Sequence, residues 1–389
     1  MVSIGVALMG IQMWAPPAHL VAVTTPSPAC GPVPAGTARC LGIFLHATAT
    51  RADASGGPGG LTPTDIRTAY ALPAAGAHGR TVAIVDAYDD PNAEADLAVY
   101  RSTFGLPPCT AANGCFRKVD QRGGTAFPAP DAGWAQEIAL DLDMVSAACP
   151  DCHILLVEAD GADMPSLGGA ENTAATAPGV VAVSDSFGST ESSDELSWDT
   201  RYFTHPGVAL VAASGDSGGP SLLGSGGAIY PAASPLVTAV GGTSLVRSST
   251  PRGWSESAWG GSGYGCSAYE PRPTWQAATT CRGRSIADVA AVADPQTGVA
   301  SYDSYQSSGW KVAGGTSAAA PIIASIYALA GNTRGLVGAS RAYASAGALN
   351  DVTAGGGGGL LGIVGSSGTG AAGYDGPTGL GSPHGLAAF

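Results

Sequence analysis

The 389-residue chain is 45% apolar and 12% charged, with 58 glycines, which excludes a disordered polymer and fits a loop-rich globular protein of one large domain or two small ones. A net charge of −13 leaves no basic patch to neutralise phosphates and argues against a nucleic-acid partner. Lysine occurs only at Lys118 and Lys311, so the chain suffers little cationic self-repulsion in acid and is compatible with an acidic working environment.

Residues 1–22 are apolar, interrupted by Ala-Pro-Pro-Ala at 15–18, and resemble a secretory hydrophobic region without the usual preceding Lys or Arg. No other stretch has the length of a membrane span, so no stable membrane association is expected. Residues 23–60, rich in Pro, Gly, Ala and Thr, read as a leader or short pro-segment ahead of a domain at 61–389. Leu61-Thr62-Pro63-Thr64-Asp65-Ile66 opens a helix, with Thr62 as its cap and Pro63 in the first turn.

From there strands and helices alternate. Thr81–Asp86 is a continuous apolar strand and a helix follows around Asn92–Phe104. A loop carrying Cys109 and Cys115 leads to a helix over Gly133–Ala148. His153–Glu158, Val180–Ser184, Val208–Ala213 and Leu236–Val240 are further buried strands. Strands apolar on both faces and separated by helices indicate an α/β protein with a mostly parallel central sheet and helices on both sides. Sites in such sheets form at the carboxyl ends of strands.

The eight cysteines fall into near neighbours, Cys30/Cys40, Cys109/Cys115, Cys149/Cys152 and Cys266/Cys281, a spacing that favours four local bridges and an oxidising compartment. Cys149-Pro-Asp-Cys152 reads as a structural disulfide in preference to a redox or zinc pair, because no second CxxC or nearby histidine pair completes a metal site.

Three short stretches carry candidate chemistry. Glu137 and Asp141 stand four apart on the 133–148 helix, so both carboxylates share one face, where like charges repel. If buried they must share a proton or shift their pKa values; a wet acidic edge is the bland alternative. Asp216, in Ser214-Gly215-Asp216-Ser217-Gly218, follows the strand ending at Ala213, where either a turn residue or a site residue would stand. Gly314-Gly315-Thr316-Ser317-Ala318-Ala319-Ala320-Pro321 opens a helix that is apolar to about Leu329, with Pro321 suited to its first turn. A serine there meets unpaired N–H groups and the positive end of the helix dipole, suiting either an N-cap or a nucleophile whose product carries an oxyanion.

In identity, spacing and order these three stretches resemble the motifs of the sedolisin family, the serine-carboxyl peptidases with a subtilisin-like fold, and the resemblance runs from about Leu61 to the C-terminus. It implies that Ser317 attacks a scissile carbonyl, Glu137 takes its proton, Asp141 supports Glu137, and a protonated Asp216 stabilises the oxyanion. It implies secreted peptidase activity peaking in acid, on polypeptide substrates, by a monomer, and leaves endopeptidase and tripeptidyl-peptidase action both open. Ser184, Ser186 and Gly188, in Ser184-Asp185-Ser186-Phe187-Gly188, are similar to the family's substrate-pairing segment. Asp351 and Asp375, with the carbonyls of Val352, Ala371 and Gly373, resemble its Ca²⁺ site. About sixty residues precede the expected domain, where family members usually carry a long prodomain. Two rival readings remain: a Ser-His-Asp hydrolase using Asp86, which lacks a well-placed histidine after it, and an inactive binding protein on the same fold.

Overall fold

A computed structural model describes residues 25–34, 36–46, 58–219, 227–277, 279–356 and 368–389. The signal-like segment at 1–22 and Gly357–Gly359 of the glycine run lie outside the described residues. In chain order the elements are β1 (Thr25–Pro28), β2 (Arg39–Cys40), β3 (Ile43–His46), α1 (Pro63–Ala69), β4 (Thr81–Ala87), α2 (Ala93–Thr103), β5 (Phe116–Asp120), α3 (Ala132–Ala148), β6 (His153–Ala159) and α4 (Met164–Thr176). They continue with β7 (Val180–Asp185), β8 (Phe187–Thr190), α5 (Glu195–Tyr202), β9 (Ala209–Ala213), β10 (Ile229–Tyr230), β11 (Thr238–Arg247), β12 (Trp254–Ala258), β13 (Gly265–Pro271), β14 (Gly283–Ile286), β15 (Val289–Val292), β16 (Val299–Asp303), β17 (Gly309–Gly314) and α6 (Thr316–Ala330).

The main sheet runs β12-β11-β9-β7-β4-β6-β5, with β15 also on β11. Its ladders are parallel except for the antiparallel β11–β12 pair. Alternation along β4 shows why the strand is apolar throughout. Val82 and Ile84 point into a core built with α3 and α6, while Ala83 and Val85 point into a second core with α4 on the opposite face. The fold class read from the sequence is the one observed. The strand at Phe116–Asp120 escaped that reading because its alternation is broken by Arg117 and Lys118, which an edge strand tolerates and an interior one does not.

Local signals hold at the helix ends. Thr62 caps α1 in a complete capping box with Asp65. Asp131 caps α3 one residue earlier than the Gly133 start, its Oδ1 accepting from the N–H groups of Gly133 and Trp134 at 2.9 and 3.0 Å. All four local disulfides form, the Cys149–Cys152 pair fully buried. Pro321 differs from expectation: α6 begins at Thr316, so the proline lies inside the helix and the carbonyl of Ser317 lacks its i+4 donor.

The boundary at 60/61 coincides with no structural division. β1 and β3 form an antiparallel pair and β3 continues onto β17, giving a four-stranded sheet β1-β3-β17-β16. β2 pairs with β8, extending a three-stranded sheet β10-β8-β2. Residues 25–46 are therefore woven into the same body as the helices that carry the candidate site.

Ile84 is fully buried in β4, an interior strand of the main sheet. Ile84→Ala is expected to destabilise the protein by about 2–5 kcal/mol, the range for emptying a rigid core site. Urea unfolding would show this as a lower midpoint at an unchanged slope, and an unchanged midpoint would contradict the packing described.

Candidate active site

Helices α3 and α6 pack directly against each other, which brings the acidic pair of one to the serine of the other. Glu137 and Asp141 lie one turn apart on α3 and both are fully buried. Glu137 Oε2 accepts from the Gly42 N–H at 2.5 Å, and Asp141 Oδ1 from the Ser186 hydroxyl at 2.8 Å. Glu137 Oε1 and Asp141 Oδ2 have no hydrogen-bond partner. Burial pushes the Glu137 carboxyl up to about 8, against the downward pull of the Ser317 hydroxyl and the Gly42 amide. Asp141 is held well above the ordinary carboxylate range by burial and by the charge of Glu137. Two such neighbours resist ionising together away from water, so the charge state of one shifts the titration of the other.

Asp216 stands just past the carboxyl end of β9. Its Oδ1 accepts from the backbone N–H and the hydroxyl of Thr316 at 2.8 and 2.9 Å. Burial raises its carboxyl to about 7, opposed by those two bonds and by the positive charge of Arg39. Below that pH the acid is neutral and able to donate. Ser317 is the second residue of α6, so its N–H is among the four that a helix start leaves without an intrahelical acceptor. Gly315 is obligatory on two counts: its φ is +86°, and an added Cβ would sit 2.0 Å from the Leu41 carbonyl oxygen and 2.9 Å from Asp216 Oδ2.

Ser186 ties the two helices together. Its hydroxyl, besides serving Asp141, donates at 3.4 Å to the Ser317 carbonyl that Pro321 deprives of a helical partner. The Ser186 carbonyl in turn accepts from the Ser317 hydroxyl at 3.3 Å. Gly188 pairs with Arg39 across the β2–β8 ladder. Ser184 is set apart, buried in β7 between Ile84 and Val211, and its hydroxyl has no hydrogen-bond partner.

Sequence reasoning treated Asp86 as a strand-end residue with at most a supporting part. The structure places it, fully buried and without a hydrogen-bond partner, within the acidic cluster, its pKa held well up by burial and then by the charges of Asp141, Glu137, Asp185 and Glu158. Thr316 was missed as the anchor of Asp216, although the Gly-Thr-Ser run contained it. Gly42 was missed because nothing in residues 23–60 signals proximity to a carboxylate 95 positions away. None of His78, His153, His205 and His384 hydrogen-bonds Ser317 or Glu137. His78 and His384 are exposed, His153 opens β6, and a His205 ring nitrogen bonds the Tyr202 carbonyl at 2.9 Å.

The C-terminal loops bring Asp351 and Asp375 near each other. Asp375 accepts from the Thr378 N–H and hydroxyl at Oδ1 and from the Ala371 N–H at Oδ2, and Asp351 Oδ2 accepts from the Gly373 N–H at 3.0 Å. Burial, opposed by these hydrogen bonds and aided by the charge of Asp351, raises Asp375 to about 6. No hydrogen bond among described residues ends on the carbonyls of Val352, Ala371 or Gly373. Two mutually repelling carboxylates beside backbone carbonyls suit a hard cation, although no group of three or more His, Cys, Asp or Glu side chains comes together among the described residues.

No family model matches the chain. Kumamolisin from Bacillus sp. (strain MN-32) is 32% identical over 310 residues, covering 70% of this chain and 52% of that protein, so the chain spans about half the length of the curated relative it matches. Among solved structures, Pseudomonas sedolisin, described as a serine-carboxyl proteinase, superposes with a TM-score of 0.71 at 25% identity, covering 84% of this chain and 96% of that one. Fervidolysin from Fervidobacterium pennivorans, described as a keratinolytic enzyme related to subtilisin, gives a TM-score of 0.50 at 15% identity over 81% of this chain and 42% of that one, a likeness of fold alone.

Buried carboxylates make the protein's stability depend on pH with a definite sign. Asp86, Glu137, Asp141 and Glu171 are all raised above the value of about 4 that they have when unfolded. Between that value and their folded ones the native state holds more protons, so unfolding free energy falls as pH rises. Melting temperature, measured with Ser317→Ala protein, is expected to be highest near pH 4 and to fall towards pH 8. Glu171→Gln should flatten the decline, and a melting temperature that rose over this interval would contradict the sign.

Proposed function

The chain belongs to the sedolisin family, and on that premise we propose that it is a secreted serine-carboxyl peptidase that hydrolyses polypeptides in acid. The observation that carries this reading is the convergence of Glu137, Asp141, Ser317 and Asp216 on one buried locus, with His78, His153, His205 and His384 all bonded or placed elsewhere. Ser317 Oγ attacks the scissile carbonyl and its proton passes to Glu137, whose pairing with Asp141 lets it take that proton without leaving two charges buried. Asp216, neutral, donates to the developing oxyanion beside the Ser317 N–H, and Thr316 fixes its orientation. Glu137 then returns the proton to the leaving amine, and water resolves the acyl-enzyme. Ser186 and Gly188 pair with substrate backbone, whereas Ser184 supports the sheet behind them.

Four disulfides favour an extracellular setting, and no described helix is long and apolar enough to cross a membrane. Asp351 and Asp375, with the carbonyls of Val352, Ala371 and Gly373, would hold Ca²⁺, which would cross-link the C-terminal loops and take no part in bond cleavage.

Activity requires Asp216 protonated, so it should disappear as pH rises through about 7. It also requires one charge on the Glu137–Asp141 pair, which burial already disfavours and falling pH removes further. Ser317→Ala should abolish hydrolysis of an unfolded protein and Glu137→Gln should reduce it roughly 10²–10⁴-fold. His78→Ala and His153→Ala should leave rates near wild type. Asp216→Asn, a donor at every pH, should lower the maximum but move the alkaline limb upward in a kcat/KM profile. A peak at or above pH 7, or a large loss at either histidine with Glu137→Gln still active, would return the case to a Ser-His-Asp mechanism.

Chelation is expected to lower the melting temperature, with Ca²⁺ restoring it, and Asp351→Asn plus Asp375→Asn should remove that response. Indifference of the native protein to chelator and Ca²⁺ would refute the cation site.

A further inference from the structure

Ser186 stands in a gap between two strand pairings. β7 ends at Asp185, opposite Val85 of β4 and Ala212 of β9, and β8 begins at Phe187, opposite Cys40 of β2. Ser186 belongs to neither ladder, yet its hydroxyl serves Asp141 and the Ser317 carbonyl. Its own carbonyl accepts from the Ser317 hydroxyl and from the Leu41 N–H. Where Ser186 sits therefore depends on how its neighbours in the chain are held. Ser184 offers no polar anchor, because its hydroxyl is unpartnered.

Asp185 does offer one, on the opposite face of the sheet. Along β7, Ala182 packs into the core shared with α3 and α6 and Val183 into the core built with α4, so alternation turns Asp185 towards α4. There it meets Glu171, and the two carboxyls hydrogen-bond each other. Glu171 is 1% exposed and Asp185 fully buried, and no N–H or O–H among the described residues reaches any of their four oxygens. A contact between two carboxyls without an outside donor needs a proton on one of them. Burial raises both groups, and their bond raises Glu171 while lowering Asp185, so Glu171 donates and Asp185 accepts. Asp86 and Asp141 both feel the charge of Asp185, which puts the pair within electrostatic reach of the candidate site. Two apolar side chains would fill the same space without the desolvation cost, so stability alone gives no reason for two carboxyls here.

We infer that Glu171 and Asp185 are a positioning pair for hydrolysis: their hydrogen bond anchors the end of β7 from behind the sheet and holds Ser186 where its hydroxyl orients Asp141 and the first turn of α6. This inference rests on the peptidase reading above. Neither residue touches the reacting atoms. A hydrogen bond is directional where apolar packing is not, and an error of about 1 Å in a supporting group can cost about 10²-fold in rate. Gly188 is held separately, because Ser189 and Thr190 pair with Tyr230 and Ile229 of β10. Loss of the Glu171–Asp185 bond should therefore fall on kcat and spare KM.

The experiment measures kcat and KM on a quenched peptide at about pH 4, with melting temperature alongside. Asp185→Val and Glu171→Leu should each lower kcat roughly tenfold or more with KM within about threefold of wild type. Asp185→Asn and Glu171→Gln keep a hydrogen bond and should stay within about threefold of wild type in both constants. Glu171→Leu combined with Asp185→Val leaves neither partner buried and unpaired, so it should recover the melting temperature that each single variant loses, but not kcat. In a Ser186→Ala background Asp185→Val should cost less than about threefold more, because the hydroxyl it positions is already gone. Recovery of kcat together with melting temperature in the double variant would overturn the inference and leave the peptidase reading standing. So would failure of the two amides to preserve kcat, a loss carried by KM, or an undiminished effect of Asp185→Val on Ser186→Ala. No hydrolysis by wild type at any pH would overturn both readings together.

Discussion

The site depends on keeping carboxyl groups dry. Glu137, Asp141 and Asp86 are enclosed between the main sheet and the α3–α6 pair with fewer hydrogen-bond partners than their oxygens need. An ionised carboxylate in such surroundings is expensive, so protons remain on the cluster well above the ordinary carboxylate range. On the proposed reading that constraint lets a glutamate stand where other hydrolases place a histidine, and the expected preference for acid comes from the neutral Asp216 that the oxyanion needs. Asp216 follows the same logic on the opposite side of the serine. Thr316 orients one of its oxygens, which leaves the other for the reacting centre.

Backbone geometry supplies what the side chains lack. Pro321 removes one hydrogen bond from α6 at the turn that carries Ser317, and Ser186 fills the gap, so the helix of Ser317 and the segment after β7 are joined there. Gly315 and Gly42 are both places where a methyl group would collide with the candidate site: one beside Asp216, the other beside Glu137.

Much of this was legible in order along the chain. Composition set the class, and apolar runs in both registers gave a two-sided parallel sheet. Capping residues gave the helix starts, and near-neighbour cysteines gave the bridges. The i, i+4 placement of Glu137 and Asp141 fixed their common face, because helical periodicity is a local property. What depended on distance in space was out of reach. Asp86 looked like the end of a strand until the sheet carried it to the acidic cluster. The edge strand at Phe116–Asp120 has a pattern that only an edge permits. Pro321 could be placed in its helix only once the first hydrogen-bonded turn was known.

The sequence by itself determined the fold class and offered the candidate groups in their order, since each is written in residues close together along the chain. Tertiary structure alone decided which of those groups meet, how deeply they are buried, and that Gly42 lies beside Glu137. The reason is physical: strand pairing and desolvation join residues far apart in the chain, and a pairing partner leaves no mark on the sequence of the strand it chooses.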